Sequence, residues 1–235
     1  MQIVILTGGL ATRLSPLTDN IPKSMIRVGN KPFLQHQIEL LKGNGVLDIV
    51  LCVGHLSCMI KDYFGDGRRF GVNIQYSDEG ENLLGTGGAL KKAEPLLEDE
   101  FFLVYGDSYL MFDYQAIESY YKKFQAFCIL VVYKNQNLYD KSNIRLKDSL
   151  VTAYDKTNPD GKLIYIDAGL SILRKEVLNQ IPLATPSPLE ELYQKIIAKR
   201  EMLAYEVSQR FYEIGSAQGL KEFENLIRGE KELVG

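Results

Sequence analysis

Short apolar strands alternate with helices along the first hundred residues, and this alternation limits the fold more than any other feature of the sequence. Apolar runs typical of strands cover residues 2–6, 48–53, 72–76 and 101–105. Helical periodicity falls between them, over residues 32–41, 59–64 and 86–93, with Thr86 as the expected N-cap of the last helix. Strands that are apolar on both faces are typical of a sheet covered on both sides. The sequence therefore predicts an α/β fold with a mixed, mostly parallel sheet flanked by helices.

The pattern changes after residue 125, where strands outnumber helices. Strand-like runs cover residues 126–133, 163–173 and 203–207, and residues 143–154 indicate a hairpin that turns at Asp148-Ser149. Helices are expected over residues 189–199 and 217–227. No repeat, low-complexity tract or clear linker separates the two parts. We expect one domain over residues 1–235, with functional halves at 1–125 and 126–235.

Charge and composition limit the class of partner. The 235 residues carry a formal net charge of −3, which gives no broad basic surface for nucleic acid or an acidic membrane. No stretch approaches the roughly 18 consecutive apolar residues of a membrane span, and Met1-Gln2 lacks the basic start of a secretory signal. Three cysteines without a CxxC pair indicate reduced thiols, and two distant histidines disfavour a His-rich metal site. We expect a cytoplasmic protein that binds neither nucleic acid nor a membrane.

The loop after the first strand combines a permissive backbone with two cations. Gly8 and Gly9 allow a tight turn and a close approach of the backbone, while Arg13 and Lys23 bring positive charge to the same region. Backbone amides together with fixed cations favour phosphate binding. An ordinary surface loop with solvated Arg13 and Lys23 explains these residues equally well.

Asp107 is the candidate metal ligand. It follows the apolar run 101–105 and Gly106, which places its carboxylate at a strand end, where open α/β sheets bind their ligands. The alternative is a turn or cap aspartate, and Asp113 is better explained that way, as the N-cap of a helix over 114–124. The segment 85–88 reaches the same edge, but it completes neither a P-loop nor a dinucleotide-binding fingerprint.

With these features assembled, residues 6–25, LTGGLATRLSPLTDNIPKSM, closely resemble the signature of sugar-1-phosphate nucleotidyltransferases, G-G-x-G-T-R-L-x-P-L-T-x-x-x-P-K-P. Shorter matches continue along nearly the whole chain, at residues 65–67, 84–89, 106–107, 154–156, 167–169 and 211–216. The stretch LLGTGGA looks most like the short guanylyltransferases that act on heptose 1-phosphate or mannose 1-phosphate. The resemblance implies a single-domain, Rossmann-like nucleotidyltransferase fold without a β-helix tail.

The resemblance also implies a role for each matching residue. Nucleotide contacts would come from Leu6, Gly8, Gly9, Thr12 and Gly85, and the triphosphate would be held by Thr12, Arg13 and Lys23. Mg²⁺ would be bound by Asp107 and Glu213. Lys156 would hold the phosphate of the sugar, and the sugar itself would face Asp155, Asp167 and Gly169. The catalytic residues would be Arg13, Lys23, Asp107 and Lys156.

Four positions depart from the family pattern. Ala11 replaces the usual glycine of the phosphate loop, and Ser24 replaces the proline after Lys23. Asp155 is one methylene shorter than the usual glutamate, and Glu213 is one methylene longer than the usual aspartate. The last two changes keep the charge but alter the reach of the side chain toward the sugar and the metal.

The implied reaction joins an NTP, expected to be GTP, and a sugar 1-phosphate to give a nucleotide-sugar and pyrophosphate. Because the second pKa of a phosphate monoester is about 6, its oxygen is already a nucleophile at neutral pH. Two alternatives stay open: a nucleotide-sugar sensor with the same fold, and the same reaction with UTP, dTTP or CTP. Assembly as a homo-oligomer is also left open by the sequence. A glycosyltransferase is disfavoured, because Ser108-Tyr109 follows Asp107 where a D-x-D motif would continue.

Overall fold

The computed structural model describes residues 1–9, 14, 17–138, 140–158 and 161–229. The first half comprises β1 (Gln2–Leu6), β2 (Arg27–Val28), β3 (Lys31–Pro32), α1 (Phe33–Gly43), β4 (Asp48–Val53), α2 (Ser57–Phe64), β5 (Asn73–Asp78), α3 (Gly85–Ala93), β6 (Glu100–Tyr105), β7 (Ser108–Tyr109) and α4 (Tyr114–Phe124). The second half comprises β8 (Cys128–Lys134), β9 (Ile144–Lys147), β10 (Leu150–Tyr154), β11 (Tyr165–Arg174), α5 (Leu189–Ala198), β12 (Met202–Val207), β13 (Tyr212–Glu213) and α6 (Ala217–Arg228).

One sheet runs through both halves of the described chain, with the strand order β5-β4-β1-β6-β11-β8-β12-β10-β9. The strands β5, β4, β1 and β6 run parallel to one another, as the β-α-β pattern predicts. Beyond β6 most neighbours are antiparallel, although β8 and β12 are parallel. The α/β fold with a mixed sheet is confirmed. The sheet is less parallel than the sequence pattern indicates, because hairpins replace crossover helices in the second half.

Helices cover both faces of the sheet, which explains why the first strands are apolar on both sides. On one face α1, α2 and α4 contribute Leu34, Ile60 and Ile117 to a continuous buried cluster with Ile3 and Ile5. On the other face α3 and α5 contribute Leu90 and Leu192, which pack with Val4. Among the described residues, no helix is both long enough and apolar enough to cross a lipid bilayer.

The helix starts show where sequence signals succeed and where they fail. Asp113 caps α4 as predicted, since its carboxylate accepts the backbone N–H of Ala116 at 2.9 Å. Thr86 does not cap α3: the helix begins at Gly85, with Leu84 as its cap residue. The Thr86 hydroxyl instead accepts the backbone N–H of Leu189, the first residue of α5. This contact lies between segments a hundred residues apart, so helix periodicity carries no signal for it.

A short two-stranded ribbon, β7 with β13, lies beside the large sheet and has no counterpart in the sequence prediction. The C-terminal helix α6 packs behind it through Phe223, whose ring centroid lies 4.8 Å from that of Tyr109 and 4.9 Å from that of Phe33. Ile214 completes this small apolar cluster. The end of the chain is thereby tied to the segment that carries Asp107.

Candidate active site

A cavity of about 210 Å³ opens where the carboxyl ends of β1, β4 and β6 meet. Six of the residues predicted for the site line it: Leu6, Gly8, Gly9, Lys23, Gly85 and Asp107. It is also lined by residues that sequence reasoning did not assign to the site: Thr7, Ser24, Cys52, Glu79, Leu83, Thr86, Ala89, Tyr105 and Gly106. Thr12, Arg13 and Ala11 lie outside the described residues. The described residues of the predicted nucleotide side therefore line one cavity.

Glycine is required at this edge because the strand ends approach each other closely. A Cβ at Gly8 would lie 3.3 Å from the backbone N of Gly54, and a Cβ at Gly106 would lie 2.8 Å from the carbonyl oxygen of Leu6. The Gly106 N–H donates to that same Leu6 carbonyl at 2.9 Å. Gly8 thus serves the packing of two backbone segments. Among the described residues, no atom lies within 4 Å of a Cβ built at Gly9.

Lys23 and Asp107 form an ion pair at the mouth of the cavity. The Lys23 Nζ lies 2.6 Å from the Asp107 Oδ2, and each side chain is about one-fifth exposed, 20% and 23%. Lys23 begins a short 3₁₀ turn, Lys23–Met25, that follows Pro22. The cation predicted to bind phosphate and the carboxylate predicted to bind a metal are therefore direct neighbours.

The turn that carries Asp107 is held by Gln37 from α1. Nε2 of Gln37 donates to the carbonyl oxygens of Tyr105 at 2.9 Å and Ser108 at 2.8 Å, one on each side of Asp107. Because both contacted atoms are carbonyl oxygens, which only accept hydrogen bonds, the NH₂ end of the Gln37 amide must face them. Gln37 is 2% exposed, and the N–H of Ile214 donates to the Asp107 carbonyl at 2.9 Å. The backbone of Asp107 is thereby fixed from several sides, and its carboxylate faces the cavity.

Glu213, the second predicted metal ligand, lies on β13 directly opposite Ser108 of β7. Its carboxylate accepts hydrogen bonds from the backbone N–H of Gly215 and from the hydroxyl of Ser216 at 3.0 Å. The carboxylates of Asp107, just before β7, and Glu213, on β13, are suitable donors for a hard cation such as Mg²⁺. Within the described residues no cluster of three or more His, Cys, Asp and Glu side chains is present. A cation here would need ligand oxygens from a bound phosphate as well.

Glu79 is a site residue that sequence reasoning missed. It follows β5, next to Asp78, whose carboxylate is held by the Ser57 hydroxyl at 2.9 Å and the Gly80 N–H at 2.7 Å. Glu79 is 8% exposed, and its Oε2 accepts the N–H of Leu84 at 3.0 Å. The other oxygen, Oε1, is buried without a partner in the described part of the chain. Burial raises the pKa of the Glu79 carboxyl. In the sequence this residue reads as an ordinary loop acid.

The four residues predicted to bind the sugar phosphate are not among those that line the cavity. The Lys156 side chain is 55% exposed, and its Nζ lies 3.4 Å from a Glu190 carboxylate oxygen. Gly169 has a φ of +86°, and a Cβ there would lie 3.1 Å from the hydroxyl of Ser108, the residue after Asp107. Gly169 therefore connects the sugar side to the predicted metal site.

The two acidic residues predicted to face the sugar already accept hydrogen bonds within the protein. Asp167 accepts the Tyr154 hydroxyl at 2.9 Å and the Gly169 N–H at 2.8 Å, and burial raises the pKa of its carboxyl. One oxygen of Asp155 accepts both the N–H and the hydroxyl of Thr157, at 2.8 and 2.6 Å. Contact with a sugar at either residue would have to share or replace these bonds.

With this geometry described, comparison with known proteins shows a match to the family model described as nucleotidyl transferase, over residues 2–140. The chain belongs to the nucleotidyl transferase family. The prediction that it is an enzyme of this class is thereby confirmed.

Individual similar proteins match nearly the whole chain, including most of the residues after 140. D-glycero-alpha-D-manno-heptose 1-phosphate guanylyltransferase of Campylobacter jejuni is 31% identical over 95% of this chain and 98% of its own length. Mannose-1-phosphate guanyltransferase of Yarrowia lipolytica is 31% identical over 92% of this chain, which spans 61% of that protein. The crystal structure of HddC from Yersinia pseudotuberculosis complexed with GMP-PN covers 96% of this chain and 99% of its own, at 25% identity and a TM-score of 0.79.

Gln37→Met should lower the turnover of this nucleotidyltransferase while the fold persists. Methionine keeps the shape but cannot donate to the carbonyls of Tyr105 and Ser108, so the Asp107 turn loosens. If Asp107 binds a metal as predicted, turnover should fall about 10- to 100-fold, the typical cost of removing a residue that orients a metal ligand. The measurement is pyrophosphate released per second at saturating substrates, with thermal unfolding recorded alongside.

The matched control is Gln35→Met on the same helix, because the Gln35 amide bonds the side chains of Glu39 and Tyr63 instead. It should retain turnover. Wild-type turnover in Gln37→Met would show that Gln37 does not position Asp107.

Proposed function

We propose that this nucleotidyltransferase transfers GMP from GTP to a sugar 1-phosphate of the heptose or mannose type, giving a GDP-sugar and pyrophosphate. The first half, residues 1–125, binds the nucleotide, and the second half, residues 126–235, binds the sugar phosphate. The observation that carries the choice of base is one Glu79 oxygen in the wall of the cavity, which has no hydrogen-bond partner among the described residues. The named activities of the similar proteins support the same reaction.

A buried carboxylate is complementary to guanine among the common bases. The Watson–Crick edge of guanine presents two adjacent donors, N1–H and the N2 amino group, and an ionised carboxylate accepts two parallel hydrogen bonds. Uracil and thymine present one N–H between two carbonyl oxygens, which a carboxylate would repel. Cytosine and adenine pair one amino donor with an acceptor nitrogen. Guanine is thus the base that satisfies Glu79 most fully.

The guanine contact also compensates for burial of the acid. An unpaired buried charge is costly, which is why burial raises the pKa of Glu79. Two donors from guanine would favour the ionised form and lower that pKa on binding. Around the base, Leu6, Gly8, Gly9 and Gly85 supply the rest of the wall.

The reaction requires two polyanions to meet in line. A phosphate oxygen of the sugar 1-phosphate attacks the α-phosphorus of GTP, the bond to the bridging oxygen of the β-phosphate breaks, and pyrophosphate leaves. No general base is needed, since the attacking oxygen is largely deprotonated at neutral pH. Catalysis then depends on positioning and on stabilising negative charge. Lys23, with Thr12 and Arg13, holds the triphosphate.

Asp107 and Glu213 would hold Mg²⁺, which when bound neutralises phosphate charge. The donor set fits this ion, and Glu213 would share or replace its bonds to the Ser216 hydroxyl and the Gly215 N–H on binding it. Without substrate, Lys23 neutralises Asp107. When phosphate binds, the ammonium is free to move from the carboxylate to a phosphate oxygen. The ion pair thus keeps both groups at the site before the ligands arrive.

On the acceptor side, Lys156 binds the phosphate of the sugar, and Asp155, Asp167 and Gly169 lie against the sugar. Lys156 is exposed and paired with one acidic neighbour, Glu190. A phosphate carries more charge than this carboxylate and can replace it or share the ammonium. Gly169, packed on Ser108, keeps the sugar close to Asp107.

Glu79→Gln should shift the choice of base. The amide presents one acceptor and one donor, so it loses one bond to guanine and gains complementarity to uracil and thymine. Because hydrogen bonds to charged groups contribute about 1.5–3 kcal/mol, kcat/KM for GTP should fall about 10- to 100-fold. The ratio of kcat/KM for UTP or dTTP to that for GTP should rise. The measurement is pyrophosphate release over four NTPs with mannose 1-phosphate and heptose 1-phosphate.

The matched control is Glu81→Gln, two residues along the chain, where the carboxylate is 81% exposed and faces His55. This variant should keep the wild-type preference. A wild-type enzyme that prefers UTP, dTTP or CTP would overturn the assignment of GTP, and absence of pyrophosphate release with every pair would overturn the proposed reaction.

Asp107→Asn should nearly abolish turnover, since it removes a charge at almost constant shape. A loss of about 10²- to 10³-fold is typical when one charge-stabilising group is removed. Glu213→Gln should act in the same direction. Mn²⁺ binding in the presence of GTP, followed by electron paramagnetic resonance, should weaken in both variants.

Asp113→Asn serves as the control, because asparagine caps a helix about as well as aspartate. It should leave both turnover and Mn²⁺ binding unchanged. Wild-type Mn²⁺ affinity in Asp107→Asn would contradict the assignment of this carboxylate to the metal.

A further inference from the structure

The glycine-rich turn at residues 85–88 is a joint between the two halves of the chain. Ser187 donates its N–H to the Leu84 carbonyl at 2.8 Å, and its own carbonyl accepts the N–H groups of Gly87 at 2.8 Å and Gly88 at 3.2 Å. The hydroxyl of Thr86 accepts the N–H of Leu189 at 2.8 Å. Two backbone segments about a hundred residues apart are thus hydrogen-bonded side by side.

The close contact with Ser187 explains why glycine occupies positions 85 and 87 of this turn. A Cβ at Gly85 would lie 2.9 Å from the Ser187 carbonyl oxygen, and a Cβ at Gly87 would lie 3.0 Å from it. Gly85 also has a φ of +70°, which strains other residues. The Ser187 carbonyl takes the N–H groups of Gly87 and Gly88 in the first turn of α3. These two groups are therefore engaged by protein, and the turn docks the second half of the chain.

Thr86 acts as the cap of a helix to which it does not belong. Pro188 precedes α5 and forms no side-chain cap, so the first N–H groups of α5 need an acceptor from elsewhere. Thr86 provides one for Leu189. An N–H left without an acceptor costs free energy comparable to a lost hydrogen bond. The start of α5 is therefore fixed by a hydroxyl from the nucleotide half.

From this joint, α5 runs toward Lys156, the residue proposed to bind the phosphate of the sugar. Glu190, the next residue, pairs with Lys156 at 3.4 Å. One turn further, the Tyr193 ring meets the Tyr154 ring edge to face, with centroids 5.7 Å apart. At the other end of the joint, Thr86 lines the cavity proposed for the base. Thr86 thus lies between the base cavity and the lysine proposed to bind the sugar phosphate.

We propose that Thr86 is a positioning residue for the acceptor: by capping α5 it places Glu190, and through Glu190 it holds Lys156 where the sugar phosphate binds. The proposal rests on the proposed function of Lys156. Although Thr86 lines the cavity, loss of its hydroxyl should weaken use of the sugar 1-phosphate and leave use of GTP intact.

The test compares Thr86→Val with Thr86→Ser. Valine keeps the shape but cannot accept the Leu189 N–H, whereas serine keeps the hydroxyl. In Thr86→Val the KM for mannose 1-phosphate should rise about tenfold, the effect of one lost buried hydrogen bond. The KM for GTP should stay within about twofold of wild type, and Thr86→Ser should restore the acceptor KM. Thr86→Ala, which adds no bulk, replaces Thr86→Val if the latter does not fold.

Thr185→Val is the control, since the Thr185 hydroxyl bonds the Leu183 carbonyl on the exposed side of the same segment. It should match wild type. A rise in the KM for GTP with an unchanged acceptor KM would show that Thr86 contacts the base, and unchanged values for both would show that it has no positioning role. A parallel rise in both would reduce Thr86 to a structural residue. Each of these results overturns the proposal.

Hydrogen exchange separates failure of this proposal from failure of the proposed function. The amides at the start of α5, residues 189–192, should exchange faster in Thr86→Val than in wild type, whatever the sugar substrate is. Unchanged exchange would overturn the cap itself. Suppose that wild type releases no pyrophosphate with any sugar 1-phosphate, while Thr86→Val still speeds hydrogen exchange at the start of α5. The proposed reaction is then wrong, but the hydrogen-bonded joint is confirmed.

Discussion

The parallel pairing of β1 with β4 and β6 brings the ends of three buried strands to one edge of the sheet, and the site depends on that convergence. Leu6 pairs with Cys52 on one side and Tyr105 on the other, and all three line the cavity. Side chains at the points of closest approach are excluded, which is why glycine occupies positions 8 and 106. The helices on both faces keep the strands in this register by burying their side chains.

Side chains of both charges line the cavity at this edge of the sheet. Lys23 and Asp107 neutralise each other, while one buried Glu79 oxygen has no partner within the described part of the chain. The Asp107 turn is held by the buried amide of Gln37, so the carboxylate occupies a defined position before any ligand binds. A site fixed in advance is the arrangement expected when catalysis depends on position and electrostatics. The joint at Thr86 extends this order to the half of the chain that carries Lys156.

Local patterns in the sequence were sufficient to predict the strands of the large sheet and the α-helices. Asp107 and Lys23 could be proposed as site residues because each lies within a contiguous motif at the end of an element, and the structure brings them together. Gln37 and Thr86 could not, since each bonds a partner distant in sequence, and Glu79 could not, since its burial results from the folded structure. Gln37, for example, bonds carbonyls about seventy residues away. The ribbon of β7 and β13 was missed because two-residue strands carry no periodicity.

The proposed function brings a guanine nucleotide and a sugar phosphate together across this cleft, with Glu79 at one end and Lys156 at the other. A crystal structure of the protein with GDP-mannose and Mg²⁺ would test this arrangement. The N1 and N2 atoms of guanine should lie at hydrogen-bond distance, about 2.7–3.2 Å, from the Glu79 carboxylate, with the sugar-side phosphate in contact with Lys156. A guanine bound outside the cavity, or a sugar-side phosphate out of reach of Lys156, would contradict it.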